Sequence, residues 1–231
     1  MSQPKQPTNY GALSTLVTVF FFWGFIAASN SIVIPFCKTH FSLSQFESQL
    51  VGSAFYGAYF IGSLILFIVS NVLGYDILNK IGFKKGIIYG LLISVVGALL
   101  MIPSANANSF PAMLGSLFIV ALGFSLQQTA AQPFAISLGD PATGSHRLNL
   151  GGGVNSLGTT LGPIIVSYFL FGSVGSTDVI PTVTNINTLY LIVAGVFLAV
   201  ALFFAFSKKL PWGKTKKNSK KAIKLLVHSY L

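Results

Sequence analysis

The stretch Leu13–Phe36, LSTLVTVFFFWGFIAASNSIVIPF, contains no Asp, Glu, Lys, Arg or His. A helix of about 20 apolar residues, within a range of about 17–25, is what crosses the hydrocarbon core of a bilayer. Five further uncharged runs follow it: Leu50–Gly74, Gly86–Ile102, Phe110–Leu138, Leu148–Phe171 and Leu189–Phe206. Phe110–Leu138 exceeds the range, and tilt or a kink near Pro133 absorbs the excess. Strands of a membrane barrel are shorter and alternate polar with apolar residues, and these runs do not.

Composition agrees. Of 231 residues, 8% are charged and 53% hydrophobic, with 21 Phe. A soluble domain carries about 25% charged residues, so lipid is the expected solvent. The expected architecture is an all-α membrane protein of six transmembrane helices. Residues 1–12 form a cytoplasmic N-terminus, 13–207 the transmembrane domain and 208–231 a lysine-rich cytoplasmic tail.

The first ten residues hold one Lys, and the first apolar run is longer than a secretory signal core with no small-x-small site after it. It therefore reads as the first membrane helix, not a cleaved signal. Cys37 is the single cysteine, which leaves no internal disulfide.

With the N-terminus inside, Lys5, Lys80, Lys84, Lys85, Arg147 and the eight lysines after Phe206 are inside, and Lys38 alone of the 14 basic residues is outside. The positive-inside rule then puts both ends in the cytoplasm. Lys208, Lys209, Lys214, Lys216, Lys217, Lys220, Lys221 and Lys224 supply most of the formal net charge of +10. They fit either attraction to anionic head groups or a solvated, disordered tail, and the second reading is preferred. A nucleic-acid partner is not expected, since the stretch lacks a folded basic module.

Polar groups within the spans are the candidate site. Asn30 and Ser31 lie in the first span, Gln127, Gln128 and Gln132 in the fourth, and Asn155, Ser156, Thr159 and Thr160 in the fifth. An amide facing lipid loses its water hydrogen bonds at a cost of several kcal/mol, so these groups face the bundle interior or a wet cavity. Gln128 and Gln132 are four apart and share a helix face with Ser125. Amides and hydroxyls around one cavity suit a neutral, hydroxyl-rich ligand such as a sugar. The competing reading is interhelical glue, at about 0.6–2 kcal/mol per bond. For one residue glue is at least as good an account, and for the cluster a cavity is favoured. Gly158-x-x-x-Gly162 brings a neighbouring backbone close, for packing or for sliding during a conformational cycle.

Asn30 stands five residues before Pro35, and Gln128 five before Pro133, in spans that open the first and second triplets. That is the pattern of a three-plus-three inverted repeat.

Several blocks resemble one family. Phe22-Trp23-Gly24-Phe25 with Ala28-Ser29-Asn30-Ser31-Ile32-Val33-Ile34-Pro35 resembles the first helix of the fucose permease and glucose/galactose transporter family, sugar:proton symporters of the major facilitator superfamily. Phe41-Ser42-Leu43-Ser44-Gln45-Phe46 and Ser53-Ala54-Phe55-Tyr56-Gly57-Ala58-Tyr59-Phe60 resemble its first loop and second helix. Gln127-Gln128-Thr129-Ala130-Ala131-Gln132-Pro133 resembles its fourth-helix motif. His146-Arg147-Leu148-Asn149-Leu150 and Asn155-Ser156-Leu157-Gly158-Thr159-Thr160 resemble the start of its fifth helix. Asn79-Lys80-Ile81-Gly82-Phe83-Lys84-Lys85 resembles the superfamily's gating loop, with Asn79 where Asp is usual and Asp76 as a candidate substitute acid.

The resemblance implies a sugar transporter working by alternating access. Asn30, Gln128, Gln132 and Asn155 would hydrogen-bond sugar hydroxyls, and Trp23 would stack on a sugar face. Asn79, Lys80, Gly82, Lys84 and Lys85 would brace the cytoplasmic gate. Partners would be a sugar, the bilayer, a coupled proton or sodium ion and a second six-helix half. No metal or other cofactor is expected. The fucose permease pattern has acids where this chain has Ser31 and Gln128, which do not titrate near neutral pH, so proton coupling through these positions is not expected. The resemblance covers one six-helix half, from about Gly11 to Pro211, which implies a truncated or frame-shifted product with Trp212–Leu231 as a non-native tail. A half-size transporter acting as a homodimer and a non-transporting membrane remnant are the alternatives. An enzyme is not expected, since the spans hold no acid pair, metal-ligand spacing or nucleophile elbow.

Overall fold

The computed structural model describes residues 6–171 and 182–207, apart from the side chains of 29–32 and 169–171. The helices are α1 (Tyr10–His40), α2 (Gln45–Leu73), the short α3 (Ile77–Ile81), α4 (Phe83–Asn106), α5 (Phe110–Ser137), α6 (Gly144–Phe171) and α7 (Val183–Phe206). A 3-10 turn, Pro141–Thr143, precedes α6. The longest uncharged run, Phe110–Leu138, forms the single helix α5, which continues through Pro133 and is capped at Leu138.

Local chemistry sets the ends. The Asn9 carboxamide oxygen accepts from the Ala12 amide at 3.0 Å and starts α1. Ser44 and Glu47 form a reciprocal capping box at the start of α2, and Thr182 with Asn185 forms another at α7. Gly74 ends α2 at φ 67°, a left-handed conformation that costs glycine least.

Among the described residues five helices, α1, α2, α4, α5 and α7, are long and apolar enough to cross a membrane. Among them, large apolar side chains point outward: Phe60, Phe67 and Val72 on α2, Val96 and Leu99 on α4, and Leu191, Leu202 and Phe203 on α7 are exposed. An apolar belt this continuous suits lipid and not water. The sixth expected span, α6, has 28 residues, ample for a bilayer. Gly151, Gly152, Gly153, Asn155, Ser156, Thr159 and Thr160 lower its apolar character.

α1 packs along α6, and α2 along α5, while α4 packs on both α5 and α7. Exchanging α1 with α5, α2 with α6 and α4 with α7 maps the α1–α6 pair onto α5–α2 and the α4–α7 pair onto itself. This is the neighbour pattern of a three-plus-three inverted repeat. One pair breaks it: α4–α5 packs closely, whereas its counterpart α7–α1 makes a small contact. An apolar cavity of about 320 Å³ lies there, lined by Phe25 and Ile26 of α1, Val166 of α6, and Leu189 and Val193 of α7, among others.

Glycine makes the tight pairs possible. A Cβ on Gly158 would strike the Phe21 carbonyl oxygen, and one on Gly24 would strike that of Asn155. A Cβ on Gly162 would lie 2.7 Å from the Phe25 oxygen. The Gly158-x-x-x-Gly162 spacing is therefore an α1–α6 contact. Gly90 and Gly123 do the same for α4 and α5, each facing the other's carbonyl.

Candidate functional site

Gln127 and Gln128 are adjacent on α5 and so point about 100° apart around the helix. Gln127 is 0% exposed and both ends of its amide are engaged. The Trp23 indole donates to its Oε1 at 2.9 Å, and its Nε2 donates to Ser94 Oγ at 3.1 Å. Ser94 in turn donates to the Val120 carbonyl at 3.0 Å. This satisfied chain ties α1, α5 and α4 together, and a satisfied buried network fixes one packing arrangement.

Trp23, expected to stack on a ligand, is 3% exposed. Its N–H goes to Gln127, and its ring lies against Phe20 with centroids 4.6 Å apart. The indole thus packs between helices in this structure.

Gln128 differs from its neighbour. It is half-buried, and its Oε1 accepts from the Tyr59 hydroxyl of α2 at 2.8 Å. One turn away on the same pair of helices, Ser63 and Ser125 hydroxyls meet at 2.9 Å. Gln132, on the Gln128 face, is exposed. Asn155 is half-buried and donates from Nδ2 to the Phe20 carbonyl at 3.0 Å, so its amide reaches across the α1–α6 contact. Asn30 lies within α1, and its side chain is outside the described residues. No hydrogen bond joins Trp23, Gln128, Gln132 and Asn155 to one another among the described residues.

Tyr59 is the residue that sequence reading missed. Tyr59 and Ser63 are four apart on α2, as Ser125 and Gln128 are three apart on α5. The two polar pairs match only once α2 is known to lie along α5.

At one end of the bundle sits the expected gating loop. Asp76 caps α3 through the Leu78 amide at 2.8 Å and accepts from Asn79 Nδ2 at 3.3 Å. Lys80 reaches the Tyr75 hydroxyl at 3.3 Å and lies 4.8 Å from its ring centroid. Gly82 has φ 87°, a conformation other residues adopt only under strain. Lys84 is buried, and its amine donates to the carbonyls of Ser207 at 2.9 Å and Ala205 at 3.3 Å. A cation at the C-terminus of α7 satisfies orphan carbonyls and complements the helix dipole. Lys85 is half-buried beside it.

Arg147 does the same at the end of α5. Its guanidinium donates to the carbonyls of Ala135 at 2.8 Å, Ile136 at 2.7 Å and Asp140 at 2.8 Å, and to Thr143 Oγ1 at 2.9 Å. Thr8 of the N-terminal segment completes the set at 3.4 Å.

Among the described residues, no three His, Cys, Asp or Glu come together to hold a metal ion. The groups gathered between the long helices are neutral amides and hydroxyls, which bind by hydrogen bonding rather than by charge.

Fold and polar interior together define a multi-pass helical membrane protein with an inverted-repeat bundle. The Major Facilitator Superfamily profile matches residues 13–230, and the chain belongs to that superfamily. That match runs through the lysine-rich stretch. A glucose/galactose transporter of Brucella abortus biovar 1 (strain 9-941) is 36% identical over 208 residues, covering 90% of this chain and 48% of that protein. A putative glucose/galactose transporter of Helicobacter pylori (strain J99 / ATCC 700824) is 38% identical over 75% of this chain and 40% of that protein. The L-fucose-proton symporter of Escherichia coli (strain K12) is 32% identical over 84% of this chain and 46% of that protein. The crystal structure of FucP, a Major Facilitator Superfamily transporter, in the outward conformation superposes with a TM-score of 0.72 at 27% identity, over 94% of this chain and 56% of that one. The chain spans about half the length of the curated relatives it matches.

Proposed function

We propose that this chain forms the N-terminal six-helix half of a sugar transport path that works by alternating access. The substrate class is a hexose or related sugar such as glucose, galactose or fucose. The observation that carries the reading is Gln128: half-buried in a membrane helix, with its carbonyl held by Tyr59 and its Nε2 bonded to no described residue. A membrane helix keeps a donor in that state only where a polar ligand or water reaches it. Gln132 on the same face, Asn155 and Asn30 extend the set of hydroxyl-binding amides. Trp23 acts on the set from behind, through its contact with α5.

In this reading a second six-helix unit supplies the opposite wall. Gly152 and Gly153 on α6 and Gly52 and Gly57 on α2 have open space where a Cβ would sit. Exposed Ser156 and Thr160 continue that α6 face. Small and polar residues suit a close helix neighbour better than they suit lipid. A homodimer supplies the second unit from another copy, and intermolecular crosslinks through cysteines placed at Gly57 and Gly153 test it. A non-transporting remnant gives neither crosslinks nor uptake.

The membrane is the cytoplasmic (inner) membrane, with both chain ends cytoplasmic. Lys80, Lys84, Lys85 and Arg147 lie at the bundle end where α1 begins, and Lys38 lies at the other, as the positive-inside rule requires. Residues 1–12 and 208–231 then flank the transmembrane domain on the cytoplasmic side. Ser31 and Gln128 carry no titrating group, so a coupled proton or sodium ion is handled by other residues. Uptake of radiolabelled glucose, galactose and fucose into proteoliposomes holding the full chain is the test. Uptake or binding that Gln128→Ala reduces at least about tenfold supports the reading. Identical signals from wild type, Gln128→Ala and empty liposomes overturn it.

A further inference from the structure

The two ends of the Gln128 amide have different chemistry: oxygen accepts and nitrogen donates. Turning the terminal group by half a rotation exchanges them at little steric cost, so a partner has to decide which end meets a ligand. Gln127 is decided on both sides, by Trp23 and by Ser94. Gln128 is decided on one side, by the Tyr59 hydroxyl at 2.8 Å from Oε1. Tyr59 is half-buried on a helix whose neighbouring positions are Phe55, Tyr56, Ala58 and Phe60. A half-buried phenol O–H needs an acceptor, and among the described residues Gln128 Oε1 is the acceptor it has, the nearby Ser63 hydroxyl being paired with Ser125.

We propose that Tyr59 is a positioning residue that sets the polarity of the Gln128 amide, so that a ligand meets the Nε2 donors and never the carbonyl. Were the amide reversed, Nε2 would donate to the phenol oxygen, the phenol O–H would be left without its acceptor, and a bare carbonyl would face the site. The inference rests on the sugar-binding reading for its ligand but not for its geometry. It defines what is recognised: an oxygen lone pair on the ligand, which a hydroxyl supplies whether or not its own proton is bonded. At the sugar position facing Gln128, a C–F group keeps weak acceptor character and has no proton to give. A C–H group has neither.

Two measurements on the full chain in lipid nanodiscs test this separately from the transport reading. The first needs no ligand. With ¹³C-carbonyl glutamine incorporated, the infrared difference between wild type and Tyr59→Phe shows one glutamine carbonyl band moving up in frequency, since it loses a donor. The same difference taken in a Gln128→Ala background is flat. A flat difference in the wild-type background, or an unchanged one in the Gln128→Ala background, overturns the Tyr59 assignment whatever the protein binds.

The second is competition against labelled glucose by the parent, deoxy and deoxyfluoro sugars at each ring position. One position is expected where the wild type binds the fluoro sugar better than the deoxy sugar. Tyr59→Phe weakens the parent sugar about two- to tenfold and removes the fluoro preference at that position, because the freed amide turns its oxygen toward a hydroxyl proton. A wild type with no fluoro preference at any position, or a preference that survives in Tyr59→Phe, overturns the inference. A wild type that binds no sugar overturns the function reading, and the infrared result still decides the geometry.

Discussion

Trp23→Phe tests the account of the bundle's centre. The indole N–H bonds Gln127 Oε1 at 2.9 Å, and residue exposures are 3% and 0%. Phe keeps most of the ring and removes the donor, which leaves a buried acceptor without a partner at a cost of about 1–3 kcal/mol. Lost indole contacts add to that, so the single variant does not isolate the bond. Gln127→Leu removes the acceptor instead, and the double variant removes both. In the four-member cycle the packing loss cancels. The coupling that remains should be about 0.6–1.7 kcal/mol, the range for interhelical bonds in membranes. That corresponds to about a three- to eighteenfold effect on the unfolding constant. The assay is reversible unfolding in mixed micelles, followed by helix content. Additive effects, or a Trp23→Phe variant of unchanged stability that has lost sugar binding, would refute the reasoning and place the indole against the ligand.

Gly24→Ala or Gly158→Ala, each driving a methyl into a facing carbonyl across the α1–α6 contact, should destabilise by at least about 1–3 kcal/mol. Gly195→Ala, with open space at its Cβ, should be neutral or stabilise by up to about 1 kcal/mol, and melting in detergent separates the two groups. Arg147→Gln strands several carbonyls at the end of α5 and should cost about 2–4 kcal/mol. Arg147→Lys restores part of it, because an ammonium does not reproduce the guanidinium fork, and hydrogen exchange at residues 138–143 reports the release. Lys84→Met should lower stability by about 1–3 kcal/mol by freeing the Ala205 and Ser207 carbonyls, with faster exchange at the end of α7 and not elsewhere.

Six uncharged runs in a chain with 8% charged residues determined by themselves that this is a helical membrane protein. Hydrocarbon tolerates a backbone only when its own hydrogen bonds are closed locally, and run length is a property of sequence. The glycine spacing in α6 and the basic residues at one end of the bundle were legible for the same reason, since each is a local pattern. Tertiary structure alone decided which amide does what. Gln127 and Gln128 are identical in composition and adjacent in sequence, yet one is closed on both sides by Trp23 and Ser94 and the other keeps an open nitrogen beside Tyr59. Their partners come from α1, α4 and α2, and no local rule says which helix face will stand opposite. Lys84 and Arg147 read in sequence as charges obeying topology, and only the packed bundle brings them onto the ends of α7 and α5. A hydrogen bond depends on where two groups meet, and that is fixed when helices far apart in the chain come to lie side by side.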